Sequence, residues 1–313
     1  MIDTILYPIQ WVVAWIMYGS HQVLTALGMQ DGPGLAWVLS IVALTIVIRI
    51  LLIPLFFKQI KASRGMQIMQ PELQAIQKKY KGKTDPSARE AMGRETMELY
   101  RKHGTNPFAS CMPILLQSPI FFALFRVLYN LQPIAEGTKD PIGPINAAVA
   151  SDIENSDLLG AKLSDVFMQT EDWGVRAVIL VLIVAMSATT FFTQRQLTMK
   201  NMPKAALEGP MANTQKIMLY ALPLIFLVSG VNFPVGVLIY WTTTNLWSMG
   251  QQFYTIRRMP APGSEAERLL NERKAAKASK KGVVVVEDEA PEAPEIRGQR
   301  QQPVRKNRQK KRK

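Results

Sequence analysis

Five long apolar stretches, separated by polar and charged segments, dominate the pattern of this chain. Each approaches the length of about 20 apolar residues that an α-helix needs to cross a bilayer. The predicted spans are residues 35–57, 107–131, 175–193, 216–231 and 233–253. Asn232 and Pro234 mark a tight turn between the last two spans. The pattern therefore predicts an all-α integral membrane protein with five transmembrane helices.

Between the first two spans, residues 58–106 are polar and show a helical period. Apolar side chains recur at steps of three and four, which places them on one helical face: Met69, Leu73, Ile76 and Tyr80. Gly82, between two lysines, interrupts this helix. Asp85 and Pro86 suit the N-cap and first position of a second helix, and Gly104 suits its C-terminal cap. The segment thus predicts a helical hairpin.

Residues 1–34 hold a further apolar stretch, broken by polar residues 20–22. With Trp11, Trp15 and Tyr18 at headgroup level, it is predicted to be an amphipathic helix in the outer membrane interface. A sixth span is disfavoured, because Asp3 and no cation precede the stretch. A cleaved signal peptide is the open alternative, although the basic residues that usually begin one are absent here.

Composition supports the membrane interpretation. The 313 residues are 48% hydrophobic, yet the net charge is +13, so apolar and basic residues must be segregated along the chain. Residues 217–256 contain no charged side chain, and residues 107–131 contain only Arg126. A water-soluble globular protein would not keep forty consecutive residues free of charge, which excludes that class.

The distribution of lysine and arginine predicts the orientation, because cytoplasmic loops are enriched in both. Residues 1–34 contain neither, and the loop 132–174 has 2 basic and 8 acidic residues. The hairpin 58–106 has 11 basic against 5 acidic residues, and the loop 194–215 is also basic. The N-terminus is therefore predicted outside and the C-terminus in the cytoplasm. The hairpin is then either a pair of surface helices or a basic docking arm.

The tail, residues 257–313, carries 17 basic and 8 acidic residues and is predicted to be disordered. Its last ten residues are a candidate contact for ribosomal RNA or anionic lipid. Seven of these ten are cationic: Arg305, Lys306, Arg308, Lys310, Lys311, Arg312 and Lys313. The alternative is that the tail is basic only because it is cytoplasmic.

Covalent and metal chemistry have little support in the sequence. Cys111 is the only cysteine, and a small apolar residue in a membrane helix explains it best. His21 and His103 lack the spacing of a helical metal site, and no GxxxxGK[ST] nucleotide motif occurs. The chain is therefore predicted to use no cofactor, no metal and no enzymatic step.

Arg49 is the one residue that contradicts a purely apolar first span. It lies about 5 Å to the cytoplasmic side of the midpoint of the span, at 1.5 Å per residue. No predicted span contains an acidic residue that could neutralise it. Snorkelling to the headgroups is one explanation, but Thr45 one turn earlier extends a polar stripe. An intramembrane cation without a partner indicates a functional site.

Several segments resemble the YidC family of membrane protein insertases. They are LTIVIRILLIPL, MQPELQAIQKKY, NPFASCMPILLQSPIFFALFRVL, KIMLYALPLIF and FPVGVLIYWTTTNLWSMGQQ, in that order, within residues 4–258. The chain is similar to the short bacterial form, without a large external domain. The resemblance implies a cell-membrane protein whose five spans surround a hydrophilic groove, closed to the outside and open to the cytoplasm and lipid.

The resemblance also implies roles for single residues. Arg49 would make the groove positive, and Thr45, Trp241 and, in a looser match, Gln194 would line it. Gln117 is added from its position in the second span alone. Some relatives have tyrosine at the position of Trp241. The implied partners are nascent membrane proteins, the ribosome and membrane lipids, with participation of a Sec translocon left open.

Two other classes remain as alternatives. A transporter or channel could also place an arginine in a wet cavity, but paired ionisable residues or inverted repeats would be expected. A ribosome-tethering assembly scaffold would use the tail and hairpin without needing Arg49.

Overall fold

A computed structural model describes residues 2–106, 112–196 and 211–279 of the chain. Its first helices are α1 (Ile2–Ala26), α2 (Leu35–Leu51), α3 (Ile53–Lys79), α4 (Pro86–Lys102) and α5 (Met112–Tyr129). Two short helices and an antiparallel hairpin follow: α6 (Leu131–Ala135), α7 (Ala147–Glu154), β1 (Asp157–Leu158) and β2 (Ala161–Lys162). The last helices are α8 (Trp173–Arg195), α9 (Met211–Ser229), α10 (Val235–Arg258) and α11 (Glu265–Ser279). Cys111, most of the loop 194–215 and the basic end of the tail lie outside the described residues.

The chain divides into two compact units. Residues Met1–Leu270 form the first, and Asn271–Lys313 form the second, of which the structure describes the end of α11. All packing reported below belongs to the first unit.

Within the described residues, α8 is long and apolar enough to cross a membrane by itself. Residues Leu35–Leu51 and Ile53–Ile60 satisfy the same criteria when taken together as one bent span. Shorter apolar helices cover Leu115–Tyr129 and Lys216–Asn232. The fold is predominantly helical, as predicted, whereas the number of five spans stays a prediction.

The first predicted span, residues 35–57, is not one straight helix. α2 and the start of α3 meet at Leu52 with a bend of 53°. Pro54 explains the bend, because it cannot donate to the carbonyl of Ile50 and its ring crowds that carbonyl. Beyond the bend, α3 continues without interruption to Lys79. The membrane segment and the first hairpin helix therefore share one helix, and the predicted end of the span at residue 57 stays a prediction.

Helix α10 lies at the centre of the first unit. It packs against α8, α2 and α5, while α1 packs on α2 and α5, and α9 packs on α8. Gly236 permits the close approach at one end of α10, since an added Cβ would come within 2.8 Å of Leu128 Cδ1 and 3.3 Å of Ile41 Cδ1. The turn between α9 and α10 is a short 3₁₀ segment, Gly230–Asn232, followed by Pro234. This confirms the predicted turn.

The loop 132–174 folds into a structured element, which we call the cap (residues 132–174). Ile145, Ile153 and Leu163 of the cap are fully buried and belong to the main hydrophobic core. The cap is also tied to the ends of two helices by hydrogen bonds. Gly236 N donates to Leu163 O at 2.9 Å, and Gly34 N donates to Ser156 Oγ at 2.9 Å. The segment therefore closes one end of the helical unit.

The hairpin of α3 and α4 follows the predicted capping signals. Asp85 Oδ2 accepts from Ala88 N at 2.9 Å, Pro86 begins α4, and Gly104 has the left-handed φ of 58°. Glu95 receives hydrogen bonds from Lys79 Nζ and from the Tyr80 hydroxyl at 2.8 Å. These contacts confirm an antiparallel helical hairpin.

The prediction of disorder throughout residues 257–313 is wrong for Glu265–Ser279, which forms α11. Ser264 Oγ accepts from Glu267 N at 3.2 Å, and Glu267 Oε2 accepts from Gly263 N at 2.7 Å. This arrangement is close to a capping box, whose S-x-x-E signature is present in the sequence.

Helix α1 combines exposed and buried aromatic contacts. Trp11 and Trp15 are about half exposed. Both indoles pack closely on Gly143 of the cap, since a Cβ atom added to this glycine would lie 3.3 Å from each of them. His21 is buried and stacks on Trp37 of α2, with ring centroids 3.8 Å apart. The placement of α1 in the outer membrane interface stays a prediction.

Candidate functional site at Arg49

Arg49 lies in the last turn of α2, directly before the bend at Leu52. Its side chain is half-buried. No carboxylate comes within ion-pair distance of it among the residues that the structure describes. The electrostatic neighbour of Arg49 is instead Tyr240 of α10. A guanidinium in this setting can still donate hydrogen bonds and attract an anion.

Tyr240 connects Arg49 to a third helix. Its side chain is buried, and its hydroxyl accepts a hydrogen bond from Gln117 Nε2 of α5. Arg49, Gln117 and Tyr240, which we call the polar triad, thus come from α2, α5 and α10. The triad holds a cation, an amide and a phenol, of which the amide and the phenol bond to each other, and it contains no nucleophile with an activating base.

Trp241 lies in a different environment from its neighbour Tyr240. Its ring contacts those of Phe121 and Phe226, with centroid distances of 4.9 and 4.5 Å, and stacks on Phe233 at 6.3 Å. Consecutive helical residues point about 100° apart, so the two side chains leave α10 in different directions. Trp241 therefore belongs to an aromatic cluster, and in the described part of the chain it makes no contact with Arg49.

Thr45 lies one turn before Arg49 and is buried. Its hydroxyl donates to the carbonyl of Ile41 in its own helix at 2.8 Å. Ser40 does the same with Ala36 O at 2.6 Å. Both hydroxyl protons are therefore satisfied within α2. Each oxygen still has lone pairs that could accept a hydrogen bond from another group.

A second polar area, the α8–α10 seam, lies between helices α8 and α10. Asn245 Nδ2 donates to Thr190 Oγ1 at 2.8 Å, to Thr189 Oγ1 at 3.2 Å and to Met186 O at 3.2 Å. Gln194 follows one turn after Thr190 on α8 and is half-buried. The structure brings Gln194 to the C-terminal end of α8 at this seam, which is the cytoplasmic end only if the predicted orientation holds, and it shows no contact between Gln194 and the polar triad.

The cationic tail residues predicted to bind RNA or lipid, from Arg305 to Lys313, lie outside the described residues. The hairpin carries its own charged cluster. Glu72 accepts hydrogen bonds from Lys102 Nζ at 3.1 Å and contacts His103 Nε2 at 2.8 Å. The bond from Lys102, followed by the contact with His103, holds the pKa of the Glu72 carboxyl below its ordinary value.

Comparison with known proteins then identifies the family. A family model described as 60Kd inner membrane protein matches residues 29–262. A protein of Tropheryma whipplei (strain Twist), named membrane protein insertase YidC, is 42% identical over 323 residues, which cover 99% of this chain and 97% of the relative. This chain belongs to the YidC family.

Two further YidC relatives agree with this assignment, and one solved structure matches part of the chain. A Bifidobacterium longum protein of the same name is 37% identical and covers 98% of this chain and 95% of its own length. One from Streptomyces avermitilis is 44% identical over 270 residues, 83% of this chain, and the chain spans about 60% of that relative's length. A crystal structure of an active YidC insertase matches 81% of this chain and 46% of its own, with 23% identity and a TM-score of 0.44.

Family membership confirms the resemblance inferred from the sequence and a membrane location. The roles of Arg49, Thr45, Gln117, Gln194 and Trp241 stay predictions. Sequence reasoning missed Tyr240, because the adjacent Trp241 was the residue matched to an aromatic of the family. Tyr240 and Thr244 are four residues apart and therefore lie on the same face of α10. This spacing was the signal that could have identified Tyr240.

Proposed function

We propose that this chain is a membrane protein insertase that moves short hydrophilic segments of nascent membrane proteins across the bilayer. The observation that carries the proposal is the half-buried Arg49, which no carboxylate neutralises among the described residues and which lies next to the Gln117–Tyr240 hydrogen bond. The names of its YidC relatives support the same activity. Apolar spans of the substrate would leave into lipid.

The charge of Arg49 gains strength from its surroundings. Two unit charges 4 Å apart interact by about 1 kcal/mol in bulk water and by about 4 kcal/mol at an effective dielectric constant of 20. A carboxylate on the substrate therefore gains about 3 kcal/mol more beside Arg49 than beside an arginine in water. Placing the substrate's polar tail part way across the membrane offsets much of the cost of moving it through hydrocarbon.

The bend at Leu52 supports a cytoplasmic entry for the substrate. Arg49 lies three residues before the bend, at the junction where α2 gives way to the helix that forms the hairpin. In the predicted orientation this junction faces the cytoplasm. A polar segment guided along α3 would thus meet Arg49 about two to three helical turns after leaving the hairpin at residue 58.

Release of the apolar part of the substrate would need no nucleotide. Transfer of apolar surface out of water is favourable by about 25 cal/mol per Å², so a span that leaves the polar site for the bilayer gains free energy. The exposed apolar face of α9, which includes Ile217, Leu224 and Val228, offers a lipid-facing route on this side of the protein.

Insertion by purified protein in liposomes tests the proposal. Arg49→Ala should slow insertion of substrates with acidic external tails, and Arg49→Lys should have a milder effect, because lysine keeps the charge but loses the planar fork of donors. Arg126→Ala, which removes an arginine from the apolar helix α5, is the matched control and should leave the selectivity for acidic tails unchanged. Normal insertion by Arg49→Ala would contradict the proposed role of the charge.

A ribosome contact of the tail is a separate part of the proposal. Deletion of residues 304–313 removes seven cations and should weaken co-sedimentation with ribosomes, most clearly at low salt. Replacement of the same seven residues by glutamine is the control for tail length. Co-sedimentation that is equal for all three proteins at low salt would exclude this contact.

A further inference from the structure

The tip of the β1–β2 hairpin in the cap has an unfavourable backbone. Leu158 pairs with Ala161, so the turn consists of Leu159 and Gly160 alone, with φ values of 55° and 86°. Turns with two positive φ angles favour Asn-Gly, Asp-Gly or Gly-Gly. Leucine is disfavoured there, because its Cβ crowds the backbone in the left-handed region. Among the described residues other than glycine, Leu159 is the one with positive φ.

The side chain of Leu159 is also unfavourably placed for a protein in water. It is 82% exposed at the end of the hairpin. Asp157 Oδ2 accepts from Gly160 N at 2.7 Å and holds the turn in shape. A strained backbone that presents an apolar side chain to the surroundings indicates a function for that side chain.

The position of the hairpin suggests what Leu159 meets. β1 contacts α2 and β2 contacts α8. Directly after the hairpin, Leu163 O and Asp165 O accept hydrogen bonds from Gly236 N and Val235 N, at the first residues of α10. The tip is thus carried on the ends of membrane helices, where the boundary between lipid and water lies.

Two further apolar side chains of this region are exposed in the same way. Trp173, the first residue of α8, is 78% exposed, and Met168 is 64% exposed. The Arg176 guanidinium lies 5.1 Å from the Trp173 ring centroid and its Nε donates to Thr170 O at 2.8 Å, which fixes both groups at the helix end. Tryptophan at the end of an apolar helix is typical of the membrane–water interface.

We infer that Leu159 inserts into the lipid leaflet at which α8 begins, so that the hairpin anchors the cap to the bilayer. This is the outer leaflet in the predicted orientation. The inference rests on the membrane location of the family and not on the proposed insertase function. Contact with lipid would give a function to a turn whose backbone strain has no other explanation in the described structure.

Depth-dependent fluorescence quenching tests the anchor. The full chain, with Cys111 replaced by alanine, would carry Leu159→Cys labelled with an environment-sensitive fluorophore, in nanodiscs of phosphatidylcholine and phosphatidylglycerol. We expect blue-shifted emission that is quenched by phospholipids brominated on their acyl chains and protected from aqueous iodide. Asp140→Cys, an exposed polar position of the same cap, is the control and should show the reverse.

Two other outcomes would overturn the inference. Quenching of the Leu159→Cys label by iodide alone would place the tip in water, and protection from both quenchers would place it against protein. As a check that does not need a label, Leu159→Asn keeps a residue that tolerates the turn but removes the apolar tip. Asparagine relieves the strain of this turn, which by itself would slow the amide exchange of residues 157–166. Loss of the lipid anchor should instead raise this exchange severalfold in nanodiscs, whereas Leu159→Met should leave it near the wild-type rate. Slower exchange in Leu159→Asn would contradict the anchor.

Discussion

The hydrogen bond between Gln117 and Tyr240 gives a prediction whose size can be worked out. Tyr240→Phe removes one neutral hydrogen bond, which contributes about 0.5–1.5 kcal/mol net, and leaves the amide of Gln117 without its phenol acceptor. An amide left unpaired in a dry site would cost about 1–3 kcal/mol. Because Gln117 is only half-buried, we expect a loss near 1 kcal/mol, which lowers the melting temperature by about 2–4 °C.

A double-mutant cycle measures this interaction by thermal unfolding in nanodiscs. The cycle combines Tyr240→Phe with Gln117→Met, and we expect a coupling energy of about 0.5–1.5 kcal/mol. Tyr220→Phe is the matched control, since Tyr220 is 65% exposed and should change stability by less than about 0.5 kcal/mol. Additive effects of the two substitutions would refute the direct pairing of α5 with α10 at this position.

Three further predictions concern packing and pH. Asn245→Ala should destabilise the α8–α10 seam by about 1–3 kcal/mol in thermal unfolding, whereas exposed Asn213→Ala should not. Gly236→Ala should cost about 1–3 kcal/mol in the same assay, because its new Cβ meets Leu128. Burial lowers the pKa of His21 below its ordinary value, so the unfolded chain binds a proton at His21 more readily than the folded chain does. The melting temperature should therefore fall as the pH drops below about 6.5. The fall should be less steep for His21→Phe.

Local signals in the sequence predicted local structure well. Asp85, Pro86 and Gly104 placed α4, because caps depend on residues within one turn of the helix end. Pro234 placed the turn before α10 for the same reason. The composition of the whole tail predicts disorder and does not indicate α11. The local capping signature of Ser264 and Glu267 does indicate the start of this helix.

Long-range contacts could not be predicted in the same way. The structure of the cap depends on partners such as Gly34 and Gly236, far away in the sequence. From charge and polarity alone, residues 132–174 are therefore predicted to be only a loop.

The site itself shows both sides of this limit. Arg49 stood out in the sequence because one charge interrupts an apolar run. The same pattern explains why no acidic partner lies beside it among the described residues. The choice between Tyr240 and Trp241 needed the rotation of α10 relative to α2 and α5. A family resemblance supplied Trp241, whose role stays a prediction, whereas the structure shows Tyr240 hydrogen-bonded to Gln117.

Site-specific crosslinking from position 49 tests the central claim most directly. A photoreactive amino acid at this position, in full-length protein with ribosome-stalled nascent chains, reports whether the substrate passes Arg49. We predict crosslinks to the hydrophilic tail of an inserting substrate, at chain lengths where that tail is part way across, and few crosslinks from exposed Leu180 on α8. Crosslinks to lipid alone at every chain length would contradict a substrate site at Arg49.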